Sequence, residues 1–220
     1  MTPRLGAWFG VVVLFAAASY YGNYGIDRDE NAQPLYESAF WISSLFGFGL
    51  LVGVAFTIAV GLPKRATFAL RRPTSWGRAL LMGAGILLAV FALSAIVGLF
   101  LDPGGEQGLL PDTWPPPDAL VFALNVVAVV AGAPIAEELM FRGLGFTLLE
   151  RLGPAVAIVG SSIAWAAAHG LVQAFPLIFA LGVGLGLLRR ATRSILPGML
   201  LHASFNAIAV AAAVAEASHG

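Results

Sequence analysis

Seven apolar runs, each of roughly membrane-spanning length, constrain this chain more than anything else in it. Crossing ~30 Å of hydrocarbon takes about 20 helical residues, and runs of that order occupy residues 5–24, 40–62, 79–101, 120–150, 154–172, 174–190 and 195–215. A water-soluble fold would leave most of that surface exposed and prone to aggregation. Hydrocarbon offers no partner to an unpaired backbone N–H or C=O, so each run is expected to be helical. The expected fold class is therefore all-α, a polytopic transmembrane helical bundle of about seven spans. Composition points the same way: 59% of residues are hydrophobic and 11% charged, against about 45–50% and 25% in soluble domains. On this reading residues 1–117 form an N-terminal block of three spans and residues 118–215 a core of four.

Net charge is zero, which gives no footprint for nucleic acid, but the distribution of charge is informative. Arg4, then Lys64, Arg65, Arg71, Arg72 and Arg78, then Arg151, then Arg189, Arg190 and Arg193 all fall on one side of an alternating topology. The other side has Arg28 among Asp27, Asp29, Glu30 and Glu37, and no basic residue between Asp102 and Asp118. Lysine and arginine accumulate in cytoplasmic loops, so the N-terminus is expected in the cytoplasm and the C-terminus outside, in a bacterial-type plasma membrane. Arg4, the following apolar run and Ala16, Ala17 and Ala18 also fit a cleavable secretory signal. Tyr20, Tyr21 and Tyr24 fit the aromatic belt of a retained span. The chain has no cysteine, which excludes a thiol nucleophile and a Cys-ligated metal.

Ionisable groups deep in a bilayer cost at least ~2.5–3.5 kcal/mol each on insertion scales and mark functional sites. Here they cluster on three runs: Glu137, Glu138 and Arg142; Trp165 and His169; His202 and Asn206. Residues four apart share a helix face. Glu138 is thus expected to pair with Arg142 as structural support, while Glu137, about 100° around the helix, faces a cavity. Trp165 is expected to wall that cavity one turn from His169, and His202 and Asn206 to present polar groups together. The fourth run is long and is expected to tilt, or to bend at Gly132 and Pro134.

These three motifs, Glu-Glu-x-x-x-Arg, aromatic-x-x-x-His and His-x-x-x-Asn, resemble the CAAX prenyl endopeptidase and bacteriocin-processing (CPBP, or Abi) family of intramembrane proteases over residues 118–212. Trp165 stands where phenylalanine is commoner. The resemblance implies a hydrolase that cuts peptide bonds: Glu137 and His169 activate water, and His202 and Asn206 stabilise the oxyanion.

Alternatives remain at this stage. No cofactor is required, but zinc is possible with Glu137, His169 and His202 as ligands and an open fourth position, in keeping with the family's older metalloprotease description. A non-catalytic scaffold or self-immunity protein would keep the fold, and a small transporter would use the buried charges as a relay. The expected partners are a peptide or membrane-protein substrate and the lipid bilayer. His219 is read as a tail residue.

Overall fold

In the computed structural model, residues 2–26, 32–108 and 114–219 are described; Asp27, Arg28, Asp29 and Glu30 of the first acidic loop lie outside them. Seven principal helices form the bundle: α1 (Pro3–Tyr24), α2 (Ser38–Ile58), α3 (Trp76–Val97), α4 (Ala119–Leu152), α5 (Pro154–Ala168), α6 (Phe175–Thr192) and α7 (Leu196–Ala217). Local chemistry sets their starts. Thr2 Oγ1 accepts from the Leu5 N–H and Pro3 opens α1. Ser75 caps α3, and Asp118 Oδ1 accepts from the Leu120 and Val121 N–H groups of α4. Each supplies an acceptor to helix N–H groups that have no intrahelical partner. Proline in the first turn of α5, α6 and α7 sacrifices only a donor that would be orphaned there.

All but α5 are long and apolar enough to span a bilayer, and their outer faces carry lipid-type side chains such as Leu14, Phe46, Leu81 and Leu88, each at least 70% exposed. The protein is a multi-pass membrane helical bundle. α5 and α6 pack along their length, α3 lies against α6, and α1 and α2 flank α4.

One expectation is corrected. The fifth run does not stay helical to residue 172: α5 ends at Ala168, with His169 as its C-cap. At 15 residues it rises only about 22 Å. Gly170 takes φ +66, and a Cβ there would lie 2.5 Å from the Ser19 backbone, so the chain turns where α1 crosses it. The turn's polar groups are met from neighbouring elements, as irregular backbone at membrane depth requires. Asn23 Nδ2 donates to the carbonyls of His169 (3.2 Å) and Gly170 (2.8 Å). Glu106, on the short helix Pro103–Gln107, accepts from the N–H groups of Val172 and Ala174, 2.8 Å each, and from the Tyr24 hydroxyl.

α4 also carries a feature that the sequence did not predict. It widens into π-helix at Ala128–Gly132 and again at Glu138–Gly145, with Pro134, which has no N–H to give, between them. Such widened turns free carbonyls and gather at functional sites. Three of those carbonyls take side-chain donors: Val129 O from Asn206 Nδ2 (2.9 Å), Met140 O from Trp8 Nε1 (3.2 Å) and Arg142 O from Arg189 Nε (3.2 Å). Gly145 lets the buried Trp8 ring lie against the second widened turn, since a Cβ there would come within 2.4 Å of it. α1, whose sequence also fits a cleavable signal, is thus built into the core.

Candidate active site

Glu137 ends the regular stretch Ala133–Glu137 between the two widened turns, so its side chain and that of Glu138 leave the helix in different directions. Glu138 turns inward. Its Oε1 lies 3.2 Å from Arg142 Nη1, both side chains having no exposed surface. The guanidinium also stacks over the Trp165 ring, 4.3 Å from its centroid. Two opposite charges buried together offset much of the desolvation that either would suffer alone.

Glu137 keeps 17% of its side chain exposed and turns toward α5 and α7. Its Oε2 accepts from Trp165 Nε1 at 2.5 Å and lies 4.0 Å from both His169 Nε2 and His202 Nε2. Trp165 packs edge-on against both imidazoles, at centroid separations of 5.0 and 5.1 Å. The indole therefore spaces the two histidines as well as holding the carboxylate. His169 sits at the C-cap of α5, where its Nδ1 is 2.8 Å from the Trp165 carbonyl. A carbonyl only accepts, so this hydrogen bond assigns the ring proton to Nδ1 and leaves the lone pair of the neutral ring on Nε2.

His202 is 4% exposed, with Nδ1 3.8 Å from Glu138 Oε1, beyond direct hydrogen-bonding reach. It stands between the two glutamates. Asn206 lies on the same face of α7 and has one amide hydrogen committed to Val129 O. Its other hydrogen and Oδ1 are not taken up by that contact. The structure thus groups Glu137, Trp165, His169 and His202 tightly and puts Asn206 on the wall of the same cavity; His219 lies at the far end of α7.

Two cavities meet at this cluster. One, of about 650 Å³, is lined chiefly by apolar groups including Val12, Phe15, Phe48, Leu51 and Met140. The other, of about 850 Å³, runs past Val129, His202, Asn206, Ala209 and Val210. Ser44, Phe48, Glu137 and His169 border both. Sequence reasoning gave no role to Ser44 or Phe48, whose run shows no motif, nor to Asn125, whose buried amide donates to the Leu35 (2.9 Å) and Glu37 (3.0 Å) carbonyls and so ties the turn before α2 to α4. Arg189 counted only as a loop charge; its 5% exposure and its bond to Arg142 O make it a core residue.

The arrangement can hold a water molecule between a carboxylate and an imidazole lone pair. Two hydrogen bonds of about 2.8 Å close over a 4.0 Å gap, with one hydrogen directed at Glu137 and the other at His169 Nε2. For zinc, ligand distances of about 2.0–2.1 Å would place tetrahedral neighbours only about 3.3 Å apart. Glu137, His169 and His202 stand wider than that, and among the described residues no group of three His, Cys, Asp or Glu side chains gathers closely enough for a metal.

Outside the membrane-spanning helices, Glu106 carries the clearest electrostatic signature. Burial pushes its carboxyl up, but the Tyr24 hydroxyl and the N–H groups of Gln173, Ala174 and Val172 together outweigh that and hold it below the usual carboxylate range. It anchors the turn that follows His169.

Among known proteins, residues 119–208 match the family described as type II CAAX prenyl endopeptidase Rce1-like. The match covers α4 through most of α7 and includes every residue of the cluster. No curated protein and no solved structure matches the chain.

Proposed function

From the match of residues 119–208 to the Rce1-like family of type II CAAX prenyl endopeptidases, we propose that this chain is an intramembrane endopeptidase whose Glu137 is the general base. The observation that carries this reading is the 4.0 Å gap between Glu137 Oε2 and His169 Nε2, which suits a water molecule donating to both.

Trp165 N–H occupies one face of Glu137 Oε2 and fixes the carboxylate's rotation. Water held in the gap gives one proton to Glu137 as its oxygen attacks the substrate carbonyl carbon, and the protonated carboxyl then delivers that proton to the leaving amine. His169 keeps the second hydrogen of the water directed away from the attacking lone pair. On this reading His202 and Asn206 are the oxyanion donors, and donors set in place before the reaction do much of the catalytic work. The reading needs no metal.

The test compares membrane peptidomes from cells carrying the wild-type protein and Glu137→Gln. Gln keeps the side chain's shape but cannot take the proton, so the cleavage products should disappear while the protein stays folded in the membrane. Identical peptidomes, with both proteins present at equal levels, would refute the assignment.

A further inference from the structure

The end of α5 depends on a donor that α5 cannot supply. Its final turn tightens, so that the N–H groups of His169 and Gly170 donate three residues back, to the carbonyls of Ala166 (3.2 Å) and Ala167 (3.0 Å). The carbonyls of His169 and Gly170 lie past the helix end and have no partner within it. Away from water such groups cost free energy until a donor is supplied. Asn23, in the last turn of α1, meets both: its Nδ2 donates to His169 O at 3.2 Å and to Gly170 O at 2.8 Å.

α1 is itself fixed against the helix that carries Glu137. Trp8, buried in the core, donates to Met140 O at 3.2 Å within the widened turn that starts directly after Glu137, and its ring meets Phe141 edge-on at 6.4 Å. Val12 and Phe15, between Trp8 and Asn23 on α1, line the apolar cavity that Glu137 and His169 also border. One helix thus holds the backbone beside Glu137 and the backbone of His169. The family match over residues 119–208 assigns nothing on it.

We infer that Asn23 is a positioning residue for His169. By holding the His169 carbonyl it fixes the C-cap of α5, and with it the ring whose Nδ1 donates to Trp165 O (2.8 Å) and whose Nε2 stands 4.0 Å from Glu137 Oε2. Without that anchor the turn after Ala168 frays, the ring leaves the Trp165 carbonyl, and the gap to Glu137 is no longer set. Misplacing a reacting group by about 1 Å can cost 10²-fold in rate. Glu106 clasps the turn further on, at Val172 and Ala174, whereas Asn23 reaches the backbone of His169 itself. The consequence for turnover rests on the protease reading above; the consequence for the imidazole does not.

Asn23→Leu keeps the side chain's volume and removes the donor, and Asn23→Gln keeps an amide on a longer stem. Asn23→Ala is the milder replacement should Asn23→Leu not fold. The first readout is nitrogen NMR of histidine-labelled protein in detergent. The chain has three histidines, so the His169 signals are those absent from His169→Ala. In the wild type the neutral ring should show one protonated nitrogen, Nδ1, and one bare nitrogen, Nε2. In Asn23→Leu the two signals should move toward each other as the ring samples both tautomers, with Asn23→Gln in between. The second readout is turnover of a peptide identified by the peptidome comparison: kcat should fall about ten- to a hundredfold in Asn23→Leu, with KM held. A variant with a lower unfolding midpoint but wild-type His169 signals and wild-type kcat would reduce Asn23 to a packing residue and overturn the inference. A rise in KM at constant kcat, or an Asn23→Gln protein no closer to wild type than Asn23→Leu, would do the same. A null peptidome for Glu137→Gln would remove the protease reading, and the NMR comparison would still decide the role of Asn23.

Discussion

Trp165 Nε1 donates to Glu137 Oε2 at 2.5 Å from a helix that Glu137 does not belong to. The same ring supports Arg142 on its face and meets His169 and His202 edge-on. One indole thus couples the Glu138–Arg142 ion pair to the Glu137 carboxylate, a link that phenylalanine at this position could not make because it has no N–H.

Trp165→Phe keeps an aromatic ring beneath Arg142 and removes the donor. A hydrogen bond to a charged group is worth about 1.5–3 kcal/mol, so turnover of a peptide identified by the peptidome comparison should fall about ten- to a hundredfold. KM should hold, because the indole N–H orients the base and does not reach substrate. Unchanged kcat would show that the contact is packing alone.

If Glu137 is the base and His202 and Asn206 are the oxyanion donors, as proposed, their losses should look different. Glu137→Gln should abolish turnover, with His169→Ala close behind, whereas His202→Ala or Asn206→Ala should lower kcat by roughly 10²–10³ with little change in substrate affinity. Metal analysis of the purified active enzyme provides the companion measurement. Activity that persists after exhaustive chelation is expected, and reversible loss together with stoichiometric zinc would transfer the water-activating role to the metal.

Arg142→Ala leaves Glu138 fully buried beside His202 with no guanidinium. Breaking a buried pair from one side costs about 3–5 kcal/mol, which should appear as lower yield and a lower unfolding midpoint in detergent. The double variant Glu138→Gln, Arg142→Gln removes the uncompensated charge and should recover part of that loss. Equal instability of single and double variants would mean that packing of the Arg142 side chain on Trp165, and not charge, dominates the site.

The Glu106 clasp should depend on pH. Its carboxyl is held below the usual range in the folded protein, so the clasp contributes fully above the unfolded carboxyl's ordinary value and is lost as pH falls through the lower, folded one. Amide exchange over residues 169–175, corrected for intrinsic rates, should be slower in the wild type than in Glu106→Gln at neutral pH. The two should converge below the carboxylate range. A constant difference across that range would sink the electrostatic account.

Legibility in the sequence tracked the range of each interaction. The membrane class follows from apolar run lengths, and the Glu138–Arg142 contact from four-residue spacing, because a helix imposes both locally whatever surrounds it. Tertiary structure showed that α5 stops at Ala168, where Gly170 at φ +66 lies without a Cβ against the backbone of α1 at Ser19 and Tyr20, far away in sequence. It also decided that Trp165 donates to Glu137, and that Arg189, Trp8 and Asn206 meet the carbonyls freed by the widened turns of α4. Those contacts depend on how neighbouring helices rotate and slide against one another. Helical periodicity sets which residues share a face, but only packing sets which face meets which neighbour.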